Sequence, residues 1–368
     1  MLNRRWMRLL ALLLGLSLVA AACGDDDDTD TTTDDTEDAT DDTSEDGDGS
    51  ESDFLACEVT DTGGVDDRSF NENAYNGLVE ASEEIGFEPV VLESQSDADF
   101  EPNIQALIDQ GCDLVVTVGF LLGDATEAAA QENPDTDFAI VDFAYETEYD
   151  NVLGLTYATD QAAFLAGYVA AAQTQTGTVG TYGGLNIPTV NIFMKGFEAG
   201  IEYHNEQKGT DVQLVGWSTA DDDGLFTGDF EDLSKGRQTT ESLLDQGADI
   251  ILPVAGPVGQ GSVEAIRAGG DDAKLIWVDT DGCESVADAC DLFLTSVMKN
   301  FDVSVYDAVT AAANGEFEGG VYSGTLENDG VELGPFNEFE GDISDELQSE
   351  LDDIRAGIID GSIATTLE

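Results

Sequence analysis

From about residue 54 the chain alternates short, continuous apolar runs with helix-length amphipathic ones. The strand-like runs are Leu55–Thr60, Pro89–Leu92, Leu114–Val118, Phe138–Val141 and Val152–Tyr157, with helix-like runs between them at Asn71–Ile85, Phe100–Gln110 and Ala125–Glu132. A second series places a helix at Gln161–Thr174, strands at Thr178–Tyr182, Gln213–Trp217, Ile250–Pro253 and Leu275–Val278, and helices at Asn191–Glu206, Leu233–Gln246 and Gly259–Ala268. Short strands that are apolar along their whole length are covered on both faces, as in parallel sheets. Strand–helix alternation builds them from right-handed βαβ units. The fold class is therefore α/β, with two doubly wound parallel-sheet lobes joined by a hinge. The expected lobes are 54–158 plus about 283–322, and 159–282 plus about 323–368, because the last segment is too small for a third lobe.

The ends differ from this body. Arg4, Arg5 and Arg8 precede an apolar stretch, Leu9 to Val19, and Ala20, Ala21 and Ala22 precede Cys23. Residues 1–22 read as an export signal too short for a bilayer span. An ordinary signal peptide is the plainer reading. The small residues before Cys23 and the polar stretch after it favour a lipobox, with Cys23 as the diacylated first residue and the membrane reached through that lipid. Residues 24–53 hold 16 acidic side chains and no Lys, Arg or aromatic residue. Residues 23–53 are expected to be a disordered, charge-extended tether. The body keeps the same sign, with 63 acidic against nine basic side chains in 54–368. Such a balance excludes nucleic-acid binding, which needs clustered cations, and suits a salt-adapted surface.

Four further cysteines lie in the exported part, where disulfides persist. Cys283 and Cys290 can close a small ring across an acidic loop. Cys57 and Cys112 precede two strands that start side by side if they are parallel neighbours. The pairs Cys57–Cys112 and Cys283–Cys290 are expected, four free thiols being the alternative. With one histidine, His204, and no paired-cysteine spacing, no metal site and no cofactor are expected.

In open α/β sheets ligands bind beyond the carboxyl ends of the strands. Those positions hold Asp61, Gly119–Phe120, Asp142–Phe143, Gly183–Asn186, Gly256 and Asp279–Asp281. Each aspartate could cap the following helix or accept hydrogen bonds from a diol. The run from Gly256 to Gly261 lacks the lysine and spacing of a phosphate loop and reads as close backbone approach to a ligand. Asp221–Asp223 reads as a solvated loop.

Four stretches are specific: Thr60-Asp-Thr-Gly-Gly-Val-Asp-Asp-Arg-Ser-Phe-Asn71, the segment Gly183 to Gly200, Val278-Asp-Thr-Asp281, and Leu294-Thr-Ser-Val-Met-Lys-Asn-Phe-Asp302. In the first, Asp66, Asp67 and Ser69 are candidate caps for the following helix. Together the four resemble, in order from about 54 to 360, the BMP family of basic membrane protein and purine nucleoside receptor lipoproteins. That resemblance implies a type I periplasmic-binding fold, an extracytoplasmic binding subunit of an ABC importer, and a nucleoside ligand. Phe70 then resembles one wall of the base pocket, with Asp61 and Asn71 beside it, and Phe193 the opposing aromatic. Asp142 would accept from the base edge, Lys299 would donate to ribose oxygens, and Asp279 or Asp281 would hold the ribose diol. Lys299 could instead be a structural salt bridge, the two phenylalanines core packing, and Asp142 a cap. The resemblance also implies ABC permease subunits as partners and a monomer. A ligand sensor for a membrane signalling partner and a nucleoside hydrolase are the alternatives; no nucleophile–base pair supports the latter.

Overall fold

The computed structural model describes residues 53–269 and 272–367. The expected export signal, the expected lipidation site Cys23 and all of the expected tether but Asp53 lie outside them. The first series forms β1 (Ala56–Thr60), α1 (Phe70–Ile85), β2 (Val90–Glu93), α2 (Phe100–Gln110), β3 (Leu114–Val118), α3 (Gly123–Glu132), β4 (Asp137–Val141) and β5 (Val152–Tyr157). The second begins with α4 (Thr159–Gln173), β6 (Thr178–Gly183), α5 (Pro188–Lys208), β7 (Gln213–Val215), β8 (Trp217–Ser218) and β9 (Asp223–Gly224). It continues through α6 (Leu233–Asp245), β10 (Ile250–Val254), α7 (Gln260–Gly269), β11 (Lys274–Asp279) and α8 (Gly282–Ser285). Then come β12 (Phe293–Lys299), α9 (Phe301–Ala313), β13 (Gly320–Gly324), β14 (Val331–Leu333) and α10 (Asp345–Ile359). The expected runs agree within three residues at each end. The run at Gln213–Trp217 is broken by Gly216, whose φ of 95° ends β7.

One six-stranded sheet has the order β13-β5-β4-β3-β1-β2, with every pair parallel. The other has the order β14-β12-β11-β10-β6-β7 and is parallel except for β14, which runs antiparallel to β12. This corrects one expected boundary. Residues 283–322 do not all join the first lobe, because β12 pairs with β11 in the second sheet. The chain returns to the first lobe only at α9, which packs on α1. Gly77 of α1 makes that contact close: a Cβ there would lie 2.2 Å from the carbonyl oxygen of Asp302.

The strands are buried because helices cover both faces. One core runs through both lobes, from Leu114, Val116 and Leu78 to Ile250, Ile276 and Val297. Separate clusters fill the outer faces, one around Val115, Phe138 and Leu107 and the other around Trp277, Leu275 and Leu243. Cys57, inside β1, is bonded to Cys112, and Cys283 to Cys290, with Cα separations of 6.0 Å and 4.5 Å. Three segments cross between the lobes and bond to one another. Ala158 N–H donates to Gly324 O (2.8 Å), Asn300 N–H to Gly330 O (3.1 Å), and Leu326 N–H to the Gln161 side chain (2.8 Å).

Candidate functional site

The carboxyl ends of both sheets open on one cleft. Asp61, Phe70, Asn71, Asp142, Phe193, Gly256, Asp279 and Lys299 all line it. Asp281 does not. Its carboxylate caps α8, accepting from Cys283 N–H (3.0 Å), and also takes the Asn337 side-chain amide (3.0 Å). The helix-capping reading of a strand-end aspartate therefore holds at 281, and of the two only Asp279 lines the cleft.

The cleft holds one buried cation. Lys299 ends β12 at 2% exposure, with its ammonium 2.7 Å from Asp142 Oδ2 and 3.4 Å from Asp279 Oδ1. It also lies over the rings of Phe70, Phe193 and Phe301 at 4.7–5.2 Å, an arrangement that favours a desolvated ammonium. Burial alone would lower its pKa, but Asp142 and Asp279 outweigh it and hold Lys299 above its usual range. Burial pushes Asp142 up, against the opposing pull of Lys299. Asp142 and Asp279 both sit in the left-handed backbone region, with φ of 62° and 69°. Such conformations cost energy in non-glycine residues and cluster at ligand sites. Asp279 Oδ1 is buried and accepts no hydrogen bond within the protein.

A second polar pair comes from the first lobe. Asn71 donates its amide to Asp61 Oδ1 (2.9 Å), while its own Oδ1 is buried without a partner. Burial pushes the Asp61 carboxyl up to about 8; the Asn71 bond opposes this, and Asp67, Asp142 and Glu231 add to it. Glu231 belongs to the second lobe, so its influence on Asp61 reaches across the cleft. Of the expected caps of α1, Asp67 accepts from the backbone N–H groups of Ser69, Asn71 and Glu72. Asp66 is exposed, and the Ser69 hydroxyl turns to the second lobe instead.

The aromatic walls differ from expectation. Phe70, half-buried, lines the first-lobe side. Phe193 lines the cleft too, but it is 2% exposed and belongs to the core. Phe230, not singled out in the sequence, is half-buried and lines the second-lobe side. It is carried on a strap from Leu225 to Asp232 that runs along the end of β6: Thr227 N–H donates to Gly183 O (3.0 Å) and Gly228 N–H to Gly184 O (2.8 Å). A Cβ on Gly184 would lie 2.2 Å from the Phe230 ring. Gly184, just after β6, is the sequence signal that a side chain must lie there. Gly256, with φ of 50°, brings bare backbone to the cleft.

The model of the Bmp family, described as ABC transporter substrate-binding protein, PnrA-like, matches residues 54–365. The chain belongs to the Bmp family. It is 30% identical to the CD4+ T-cell-stimulating antigen of Listeria innocua over 98% of both chains. It is 31% identical to the ABC transporter nucleoside-binding protein BmpA of Lactococcus lactis, over 85% of this chain and 89% of that one. A solved solute-binding protein of an ABC transporter system from Aeropyrum pernix superposes with a TM-score of 0.75 at 28% identity, covering 84% of this chain and 92% of that one. The architecture is the type I periplasmic-binding fold. The Bmp family is one of ABC transporter substrate-binding proteins. Among the described residues no helix is long and apolar enough to cross a membrane.

Proposed function

We propose that this Bmp-family protein is the extracytoplasmic receptor of an ABC importer, anchored through lipidated Cys23. It takes up a nucleoside, a purine nucleoside first, and delivers it to a membrane permease. The observation that carries this reading is one cleft holding two half-buried rings on opposite lobes, Phe70 and Phe230, beside a buried carboxylate–ammonium–carboxylate cluster. Two rings contributed to one cleft by opposite lobes suit a flat base, each stack contributing roughly 1–3 kcal/mol. Asp279 Oδ1 and Lys299 supply an acceptor and a donor at the sugar end, matching a diol. Because Asp142 is already bonded to Lys299, it belongs with them. The Asp61–Asn71 pair then reads the base edge, with the orphan Asn71 oxygen accepting an N–H. Phe193 floors the pocket.

Calorimetry with guanosine, inosine, adenosine, cytidine and ribose tests this. Micromolar or tighter binding of a purine nucleoside is expected, with ribose far weaker. Phe70→Ala and Phe230→Ala should each weaken it by roughly five- to a hundredfold. Gly184→Ala, which displaces the Phe230 ring, should act in the same direction. Heat from none of these compounds on a folded sample would overturn the nucleoside assignment.

A further inference from the structure

The first turn of α1 does more than carry Phe70 and Asn71 into the cleft. Ser69, which immediately precedes α1, and Asn73, in its first turn, both reach the other lobe. The Ser69 hydroxyl donates to Asp279 Oδ2 at 3.1 Å, with Val278 O at 3.4 Å. The Asn73 side-chain amide donates to the backbone oxygen of Lys299 at 2.9 Å. Ser69 is fully buried, Asn73 is 9% exposed, and neither lines the cleft. Their two partners are the strand-end residues that carry the ligand-facing carboxylate and ammonium. The bond to Ser69 engages one carboxylate oxygen of Asp279, and the other, Oδ1, faces the Lys299 ammonium at 3.4 Å.

We propose that Ser69 and Asn73 are positioning residues that latch the two lobes together through Asp279 and Lys299, so that closure and ligand capture are one event. A ligand hydroxyl bonded to Asp279 Oδ1 fixes the same carboxylate that Ser69 holds from behind. Opening the cleft breaks the Ser69 bond and releases the side chain that grips the sugar. The latch rests on the receptor reading above for its ligand, though not for its geometry. The α1 cap is independent of it, because Asp67 binds the backbone N–H of Ser69 and not its hydroxyl.

The test compares wild type, Ser69→Ala and Asn73→Ala. Stopped-flow binding of inosine or guanosine should show dissociation roughly ten- to a hundredfold faster in Ser69→Ala, the effect of losing a hydrogen bond to a charged group. Association and the melting temperature of the ligand-free protein should be nearly unchanged. A smaller change of the same sign is expected for Asn73→Ala. Small-angle scattering of the ligand-free variants should give a larger radius of gyration than wild type. An unchanged dissociation rate with unchanged scattering would overturn the latch. So would a fall in melting temperature that accounts for the weaker binding. If wild type binds no nucleoside, the ligand assignment fails by itself, and the scattering comparison alone decides the latch.

Discussion

Replacing Lys299 with methionine is expected to abolish ligand binding and to destabilise the fold by about 3–5 kcal/mol. The stem of methionine fills the same space, so packing changes little. What goes is the charge that compensates Asp142 and Asp279, which stand on the same buried ammonium at 2.7 Å and 3.4 Å. Two carboxylates left together and buried must take up protons or admit water. The exposed pair between Lys208 and Glu350 is the control. Lys208→Met should cost far less, because solvent already screens that interaction. Denaturant unfolding of both variants, beside calorimetry, reads the difference. A Lys299→Met protein no less stable than Lys208→Met would show that the cluster is not held by its charge.

The second large effect has the opposite sign. Glu58→Met should stabilise the protein by about 1–3 kcal/mol, and most at alkaline pH. Glu58 sits in the middle of β1, fully buried, and neither carboxylate oxygen has a hydrogen-bond partner. Burial, with Asp67 adding to it, raises its pKa well above the model-compound value of 4.5. A group whose folded pKa is raised holds its proton in the native state after the unfolded chain has lost it. Its contribution is full below pH 4.5 and is lost as pH rises through the folded value. Asp67 and Asp61, pushed to about 6 and about 8, slope the same way. The difference between wild type and Glu58→Met across the pH range isolates the one residue. A gap that does not widen with pH would sink the argument.

Much of this was legible in the sequence, and the gaps have physical causes. The alternating runs placed nearly every parallel strand, because a strand covered on both faces must be apolar throughout. β12 escaped for the same reason in reverse. Its Thr295, Ser296 and Lys299 are buried but polar, satisfied by Gly334 O, by Gly282 N–H and by Asp142. That run reads as a binding motif, and the crossover back to the first lobe was placed too early. The strand-end rule found both members of the Asp142–Asp279 pair, yet it could not separate Asp279 from Asp281, because a cap and a ligand contact need the same side chain. Phe230 lies in the irregular strap between β9 and α6, where no periodicity operates, and only Gly184, on which it packs, betrays it.

The threading of the chain through the hinge sets the order in which the molecule can be completed. β5 acquires its outer neighbour, β13, from residues made after the whole of the second sheet except β14, and β14 arrives after that. Neither lobe is a contiguous stretch of polypeptide. A chain growing from its amino terminus therefore carries an open edge on its first sheet until residue 324 has emerged, and such long-range pairing folds slowly. A protein that stopped at the end of α9 would expose β5 as a template for intermolecular pairing. Swapping one lobe for that of a relative requires cuts at all three crossings, and a single-junction chimera would splice mismatched halves of both.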